Sequence, residues 1–228
     1  MKKLKKVCQD EGAFLIFDEM ITGFRWGLPG AKNRFGVEPD LSIFGKGIAN
    51  GFSVAALVGK SEIMELGGIR NLGQERVFLT STTHGAEMGP LAALLETLKI
   101  YKDEKVVETI WNRGTEFIKF LQKAFSDFGV EKFFEVNDVA ACPTIKISDK
   151  DGTPCPKLRT LFLQEMARHG VLFNYISLSQ SHTNEEFEYT IEALHSSLML
   201  INRVVNDEIT FEDCLEGPVI KPVFRKYN

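Results

Sequence analysis

A carboxylate and a primary amine stand at the ends of two short apolar segments of this sequence. Asp18 ends the run "AFLIFD" at residues 13–18, and Lys46 follows "DLSIFG" at residues 40–45 with a glycine on each side. A lysine amine can exchange carbonyl partners with an amino substrate and then act as a base, whereas a carboxylate can hold a positive charge beside it. An ordinary Asp–Lys ion pair at a loop is the alternative interpretation of the same two residues.

The two apolar runs have the pattern of strands that are covered on both faces, as in a parallel sheet. The segment "AALVG" at residues 55–59 predicts a third short strand. Because the carboxyl ends of parallel strands meet at one edge of a sheet, we expect Asp18 and Lys46 to share that ligand-binding edge. A helix over residues 2–11 precedes the first strand, and the Gly- and Pro-rich stretch at 22–39 predicts a long loop.

The hydrophobic period changes in the second half of the chain. Apolar residues at helical intervals predict helices over residues 88–98, 107–124 and 157–169, the first two being either separate helices or one bent helix. Alternation over 130–147 predicts strands, and "VLFNYISLS" at 171–179 predicts another. Thr183 and Glu186 have the spacing of a capping box that starts a final helix.

The composition excludes several classes of protein. A formal net charge of −4 and a pI near 5.7 do not provide the basic surface that a nucleic-acid partner requires. No apolar stretch is long enough for a membrane span or a signal peptide, so we expect a cytoplasmic protein without membrane contact. The four cysteines are scattered without a metal-ligand spacing, which predicts neither a metal site nor a disulfide framework.

Two segments of the chain, "LIFDEMITGFRWG" and "PDLSIFGKGIANGFSVAALVGK", resemble the class III aminotransferases. These are pyridoxal-phosphate enzymes of fold type I, and the glutamate-1-semialdehyde 2,1-aminomutase-like branch is the most similar. The resemblance extends to about residue 205 and corresponds to the C-terminal half of the family's pattern. It implies an α/β fold in which residues 1–125 form part of the large, mainly parallel-sheet domain with its connecting helices. Residues 126–228 would form the small α+β C-terminal domain.

The resemblance also implies roles for four residues. Lys46 would form the Schiff base with the aldehyde of pyridoxal 5'-phosphate and move a proton at the substrate α-carbon. Asp18 would lie against the pyridine nitrogen of this cofactor and keep it protonated. In "LTSTTHGAEMGPLAA", Thr83, with Thr82 as second choice, would offer a hydroxyl to the cofactor phosphate of a partner subunit. A helix-capping role is the alternative for these threonines.

Other charged residues near these motifs receive structural interpretations. Glu19 and Arg25 match the family motif and are expected to hold the loop after the first strand, for which an ordinary salt bridge is the alternative. Arg159 and Arg168, on the helix predicted at 157–169, are expected to be solvated charges rather than carboxylate ligands.

The resemblance implies an enzyme that moves an amino group between an amine and a carbonyl compound. The substrate would be a small molecule, and the semialdehyde-like class is preferred by resemblance; an aminotransferase and a 2,1-aminomutase both remain open. A two-fold homodimer follows from the role of Thr83. The family's N-terminal half supplies a phosphate-binding turn and a ring-stacking aromatic residue; a separate chain that carries this half and a truncated sequence are both open interpretations. The alternative is a noncatalytic remnant that acts as an interaction or regulatory partner.

Overall fold

The computed structural model describes residues 1–68, 70, 73–75, 85 and 87–221. These residues belong to two compact units, Met1–Glu108 and Thr109–Asn228. The domain boundary expected at residue 125 lies further along the chain, near the end of a helix that begins within the first unit. The assignment of a large and a small domain on either side of residue 125 therefore stays a prediction.

The first unit contains a small sheet and the helices around it. Its elements are α1 (Lys2–Asp10), β1 (Ile16–Asp18), α2 (Lys32–Phe35), β2 (Leu41–Phe44), β3 (Ala56–Gly59), α3 (Ser61–Met64) and α4 (Met88–Asp103). The helix α5 (Val106–Asp127) starts at the end of the first unit. All three predicted strands are present, and the long loop expected at 22–39 contains the short helix α2.

The sheet has the strand order β1-β2-β3. Strand β1 runs parallel to β2, with Asp18 opposite Ile43, and β3 runs antiparallel to β2. The carboxyl ends of β1 and β2 therefore point to the same edge of the sheet, as the sequence predicted.

Two apolar clusters hold the sheet to its surroundings. Leu15 and Phe17 of the β1 segment pack with Val37 and with Cys8 of α1. Phe24, Phe44 and Ile48 form the second cluster, against which Leu94, Leu98 and Tyr101 of α4 pack. Because α4 covers the end of β2, it also supports the turn that follows this strand.

A buried carboxylate links four parts of the first unit. Asp40, which is 4% exposed, accepts hydrogen bonds from Lys5 Nζ at 2.7 Å and from the backbone N–H of Leu15 at 2.8 Å. Its other oxygen pairs with Lys60 Nζ at 2.7 Å. The two ammonium groups and the backbone donor hold the pKa of Asp40 well below its usual range, and pairing with Asp40 raises the pKa of Lys60.

The second unit contains an aromatic core between helices and a two-stranded sheet. Its remaining elements are β4 (Phe134–Val136), β5 (Ile145–Ile147), α6 (Pro156–Arg168), α7 (Asn184–Val205) and α8 (Phe211–Cys214), with β4 antiparallel to β5. Phe117 of α5 packs against Phe173 and Phe187, and Phe162 of α6 packs against Phe134. Gly114 brings α5 so close to the loop before β5 that an added Cβ would lie 1.8 Å from the carbonyl oxygen of Ala140.

Most of the predicted elements are confirmed, and one is wrong. Helices α4 and α5 are separate, and Thr183 and Glu186 form the predicted capping box at the start of α7. The strand predicted at residues 171–179 does not form: this segment carries no strand pairing, although Ile176 and Leu178 are buried. An apolar segment forms a strand only where a neighbouring backbone lies beside it to complete a ladder.

No helix in the described part of the chain combines the length and the apolar character that crossing a bilayer would require.

Candidate functional site

Asp18 is the last residue of β1 and lies at the ligand-binding edge of the sheet. Its side chain is exposed, and its Oδ1 accepts a hydrogen bond from the backbone N–H of Met20 at 3.0 Å. This bond turns the chain away from the strand directly after the carboxylate. The remaining acceptor capacity of Asp18 can therefore point to a ligand beyond the strand ends.

Lys46 lies in the turn that follows β2, at the same edge of the sheet. It starts a single 3-10 turn, Lys46–Ile48, and adopts a left-handed backbone conformation with a φ of 51°. Such a conformation costs a non-glycine residue about 1 kcal/mol or more, and it often occurs at functional sites. The exposed Lys46 borders an open depression of about 500 Å³ that Asn50, Gly51 and Ser53 also line.

Met20 connects the segment after β1 to the turn that carries Lys46. A Cβ added to Gly45 would lie 2.5 Å from Met20 Cε and 2.6 Å from Met20 Sδ. Glycine at position 45 therefore lets the Met20 thioether pack directly on the backbone before Lys46, and a larger residue would displace the thioether. No local pattern in the sequence indicates that residue 20 meets residue 45.

Glu19 is a buried acid around which the loop after β1 is built. It is 2% exposed, its Oε1 accepts from the backbone N–H of Ala31 at 2.8 Å, and its Oε2 accepts from the hydroxyl of Thr22. A Cβ on Gly30 would lie within 2.7 Å of this carboxylate, so glycine is required there. Glu19 thus has the loop-holding role that the sequence suggested, through hydrogen bonds rather than a surface salt bridge.

The same loop is anchored to α4 by aromatic packing. The rings of Phe24 and Tyr101 meet edge to face with centroids 5.4 Å apart. Burial raises the pKa of Tyr101, and the positive charge of Arg25 partly opposes this effect. Arg25 therefore lies close enough to α4 to influence its side chains, in line with a role in holding the loop.

The predicted site residues fall into three groups. Asp18 and Lys46 share one edge of the sheet, whereas Thr82 and Thr83 lie outside the described residues. Arg168, in the second unit, pairs with Glu165 at 2.8 Å and with Glu216, so its charge is used within the protein. Its side chain is 42% exposed, so Arg168 is a surface charge at the end of α6 with two acidic partners.

The carboxylate of Asp18 and the amine of Lys46 at the sheet edge fit a pyridoxal phosphate cofactor. A carboxylate at the end of β1 can neutralise a protonated ring nitrogen, and an amine after the neighbouring strand can bond to an aldehyde carbon. Lys46 has the exposure that such bonding needs, and the depression beside it is open to a small molecule.

Comparison with known proteins identifies the family. The model of the aminotransferase class-III family matches residues 1–188. The chain is 32% identical over 210 residues to a 3-aminobutyryl-CoA aminotransferase of Cloacimonas acidaminovorans, a match that covers 90% of this chain and 48% of that enzyme. It is 35% identical to a glutamate-1-semialdehyde 2,1-aminomutase of Pyrobaculum arsenaticum, covering 86% of this chain and 48% of the relative.

A solved structure shows the same architecture. A transaminase with pyridoxal phosphate bound superposes with a TM-score of 0.77 at 21% identity, over 89% of this chain and 48% of that one. The chain thus spans about half the length of the relatives it matches, and that half is the C-terminal one. The fold predicted from the sequence, the C-terminal part of a fold-type I transferase, is confirmed, and the chain belongs to the class III aminotransferase family.

Proposed function

We propose that this chain is the lysine- and aspartate-bearing part of a pyridoxal-phosphate-dependent aminotransferase or 2,1-aminomutase. One observation carries the proposal: the parallel pairing of β1 with β2 brings Asp18 and Lys46 to the same sheet edge. The family membership supports it, because the relatives named above transfer or relocate an amino group. A noncatalytic role is not favoured, since both residues are retained in an accessible position.

Pyridoxal phosphate, when bound, supplies a protonated ring that takes up negative charge from the substrate α-carbon. Lys46 would hold the cofactor through its Nζ, which bonds to the aldehyde carbon. The amine of Lys46, when it is not bonded to the cofactor, would accept the substrate α-proton and return it. Asp18 would keep the proton on the ring nitrogen through the opposite charge of its carboxylate.

The surroundings of the two residues favour fixed positions over mobile ones. The Met20 N–H bond orients Asp18, and the packing of Met20 on Gly45 places the turn of Lys46 against the same segment. The buried Glu19 keeps the following loop closed upon itself. A preorganised carboxylate and amine would lower the cost of positioning during the reaction.

The substrate class follows from the shared chemistry of the relatives. One relative is named as an aminotransferase of 3-aminobutyryl-CoA and the other as an aminomutase of glutamate 1-semialdehyde, so each name describes the movement of an amino group. We therefore propose a small amino or carbonyl compound, with a semialdehyde as the preferred class. We also propose a two-fold homodimer in which Thr83, or Thr82, contacts the cofactor phosphate of the partner subunit. Light scattering coupled to size-exclusion chromatography should then give twice the monomer mass, and a monomer would contradict the dimer.

The cofactor role of Lys46 can be tested by titrating the purified chain with pyridoxal phosphate. We expect a saturable change in the visible absorbance and a covalent adduct after borohydride reduction. The variant Lys46→Ala should lose both, because it removes the amine that follows β2. The matched control is Lys99→Ala, since Lys99 is an exposed lysine of α4 whose nearest acid, Glu96, is 3.8 Å away. Equal adduct formation by Lys46→Ala and the control would refute the proposal.

The role of Asp18 predicts a different phenotype. Asp18→Asn keeps the size of the side chain and its acceptor for the Met20 N–H but removes the charge. We expect this variant to retain the bound cofactor and to slow the exchange of the α-hydrogen of an amino donor with deuterated water by about 100-fold or more, an effect of about 2.7 kcal/mol. An unchanged exchange rate would show that Asp18 does not face the ring nitrogen.

A further inference from the structure

A cavity of about 540 Å³ lies wholly within the second unit, where α5, the segment at residues 170–178 and the start of α7 meet. Its lining includes five aromatic side chains, which are Phe117, Phe173, Tyr175, Phe187 and Tyr189. An apolar cavity of this size with a few polar groups at its border is typical of small-molecule sites. The charges at the border therefore indicate which kind of molecule fits. We call this cavity the aromatic pocket.

Contacts between the elements fix the walls of the aromatic pocket. The ring of Phe117 meets those of Phe173 and Phe187 edge to face, with centroids 6.2 Å and 5.6 Å apart. The hydroxyl of Tyr189 lies on the backbone of Gly170, where an added Cβ would be 2.4 Å from Tyr189 Oη. Gly170 also has a φ of 78°, which favours glycine. The rings thus come from three elements that pack on one another.

Two of the rings remain accessible to a ligand. Tyr175 is 49% exposed and Tyr189 is 54% exposed, although both line the aromatic pocket. The face of an aromatic ring carries negative partial charge, so it attracts a cation that lies over it. Accessible tyrosine rings beside an apolar interior therefore suit a molecule with a positive end and an apolar end.

The border of the aromatic pocket is negatively charged. Glu185 and Glu186 both line it and are exposed. Glu186 accepts hydrogen bonds from the backbone N–H of Thr183 at 2.6 Å and from its hydroxyl at 2.7 Å, which lower the pKa of Glu186. The capping box uses the carboxylate of Glu186 but only the backbone N–H of Glu185. The Glu185 carboxylate is therefore the acid that can face a ligand.

Positive groups do not balance these carboxylates at the aromatic pocket. Among the described residues, no lysine or arginine lines it. His182 does line it, but its Nδ1 accepts a hydrogen bond from the backbone N–H of Ser179 at 3.3 Å, as a neutral imidazole does. Arg113 reaches the same loop and donates to the carbonyl oxygens of Ser179 and Gln180. The lining thus has a net negative charge that favours a cation.

We propose that the aromatic pocket binds an organic ammonium ion that carries an apolar group. The apolar group would fill the interior beside Phe117 and Phe187, and the ammonium would lie at the border, near Tyr189 and the carboxylate of Glu185. An organic anion would meet the two glutamates, and a neutral molecule would gain only the apolar contacts. This site requires neither Asp18 nor Lys46, so it goes beyond the proposed function.

Calorimetric titration with benzyltrimethylammonium tests the proposal on the whole chain. This permanent cation cannot bond to an aldehyde, so its binding stays separate from any reaction at Lys46 and can fail independently of the proposed function. We expect a dissociation constant in the millimolar range or tighter, and an upfield shift of the probe's methyl resonance because ring faces shield the protons above them. The uncharged analogue neopentylbenzene should bind about fivefold or more weakly, as the loss of the cation's interactions requires. Phenylacetate should bind more weakly still.

Variants locate the binding site. Tyr189→Leu removes a ring but keeps an apolar side chain, and it should weaken binding of the cation about threefold or more. Glu185→Gln removes one charge and should weaken binding of the cation about threefold. The matched control is Glu188→Gln, since Glu188 is an exposed acid of α7 that does not line the aromatic pocket. Circular dichroism should show the same fold for all three variants.

Several results would overturn the proposal. One is no binding of the cation by the parent chain, and another is binding of neopentylbenzene or phenylacetate at least as tight as that of the cation. A third is binding by Tyr189→Leu and Glu185→Gln that equals binding by the Glu188→Gln control.

Discussion

The buried carboxylate of Glu19 provides a direct test of how the loop beside the candidate site is held. Replacing Glu19 by alanine removes the acceptor of the Ala31 N–H, which is 2.8 Å away, and the acceptor of the Thr22 hydroxyl. Each hydrogen bond to a charged group contributes about 1.5–3 kcal/mol, and the buried Ala31 N–H would be left without a partner. Because the variant also removes the cost of burying a charge, we expect a net loss of about 3 kcal/mol.

The conservative variant Glu19→Gln should cost less. Its amide oxygen can still accept from the Ala31 N–H, and the rotating Thr22 hydroxyl can accept from its NH₂ group. We therefore expect a loss of about 1 kcal/mol for Glu19→Gln. The difference between the two variants separates the removal of the hydrogen bonds from the removal of the charge.

Two measurements can detect this change locally. The amide hydrogen of Ala31 should exchange on the order of 100-fold faster in Glu19→Ala, as a loss of about 3 kcal/mol requires. In a Trp111→Phe background, the fluorescence of Trp26, which lies in this loop, should show that Glu19→Ala unfolds at a lower urea concentration than the parent chain. The control is Glu96→Ala, which alters an exposed glutamate of α4. The reasoning is refuted if Glu19→Ala exchanges no faster at Ala31 than the control.

Further predictions concern other parts of the structure. Asp40→Asn should lower the free energy of unfolding by about 2–3 kcal/mol at pH 7. The pKa of Asp40 is lowered in the folded chain, so its contribution to stability is complete above about pH 5 and is lost as the pH falls further. In urea unfolding, the free energies of Asp40→Asn and the parent chain should therefore differ less at pH 3 than at pH 7. An equal difference at both pH values would contradict the charge pairing. Gly114→Ala should destabilise the second unit by about 2 kcal/mol or more, because its Cβ would overlap the carbonyl oxygen of Ala140. Thermal unfolding would measure this loss, and an unchanged midpoint would show that the backbone moves freely there. Thr183→Ala should cost about 1 kcal/mol by removing the cap of α7. Unchanged amide exchange in the first turn of α7 would contradict this.

Local patterns in the sequence were sufficient for most of the elements and for the placement of Asp18 and Lys46 at one edge of the sheet. The apolar runs before Asp18 and Lys46 are strand patterns, and parallel pairing then places both residues at one edge. The capping box at Thr183 depends on residues three positions apart, so it could be predicted without knowledge of the fold. The order of motifs around Asp18 and Lys46 also identified the family that the comparisons confirm.

Contacts between distant residues could not be predicted in this way. Asp40 meets Lys5 across 35 positions, and Met20 meets Gly45 across 25 positions, and no local pattern links either pair. The strand predicted at 171–179 was wrong for a related reason: side-chain alternation indicates which residues face the core, but not whether another backbone lies beside them. Glu19 was given the correct kind of role, although its burial and its bond to Ala31 depend on the closed loop.

The central claim is that Lys46 is the residue that bears the cofactor. Its most direct test is peptide mapping by mass spectrometry of the 228-residue chain after loading with pyridoxal phosphate and reduction with borohydride. We expect one dominant adduct, on the peptide that contains Lys46, at one cofactor per chain. An adduct spread over the surface lysines, or concentrated on a lysine other than Lys46, would contradict it.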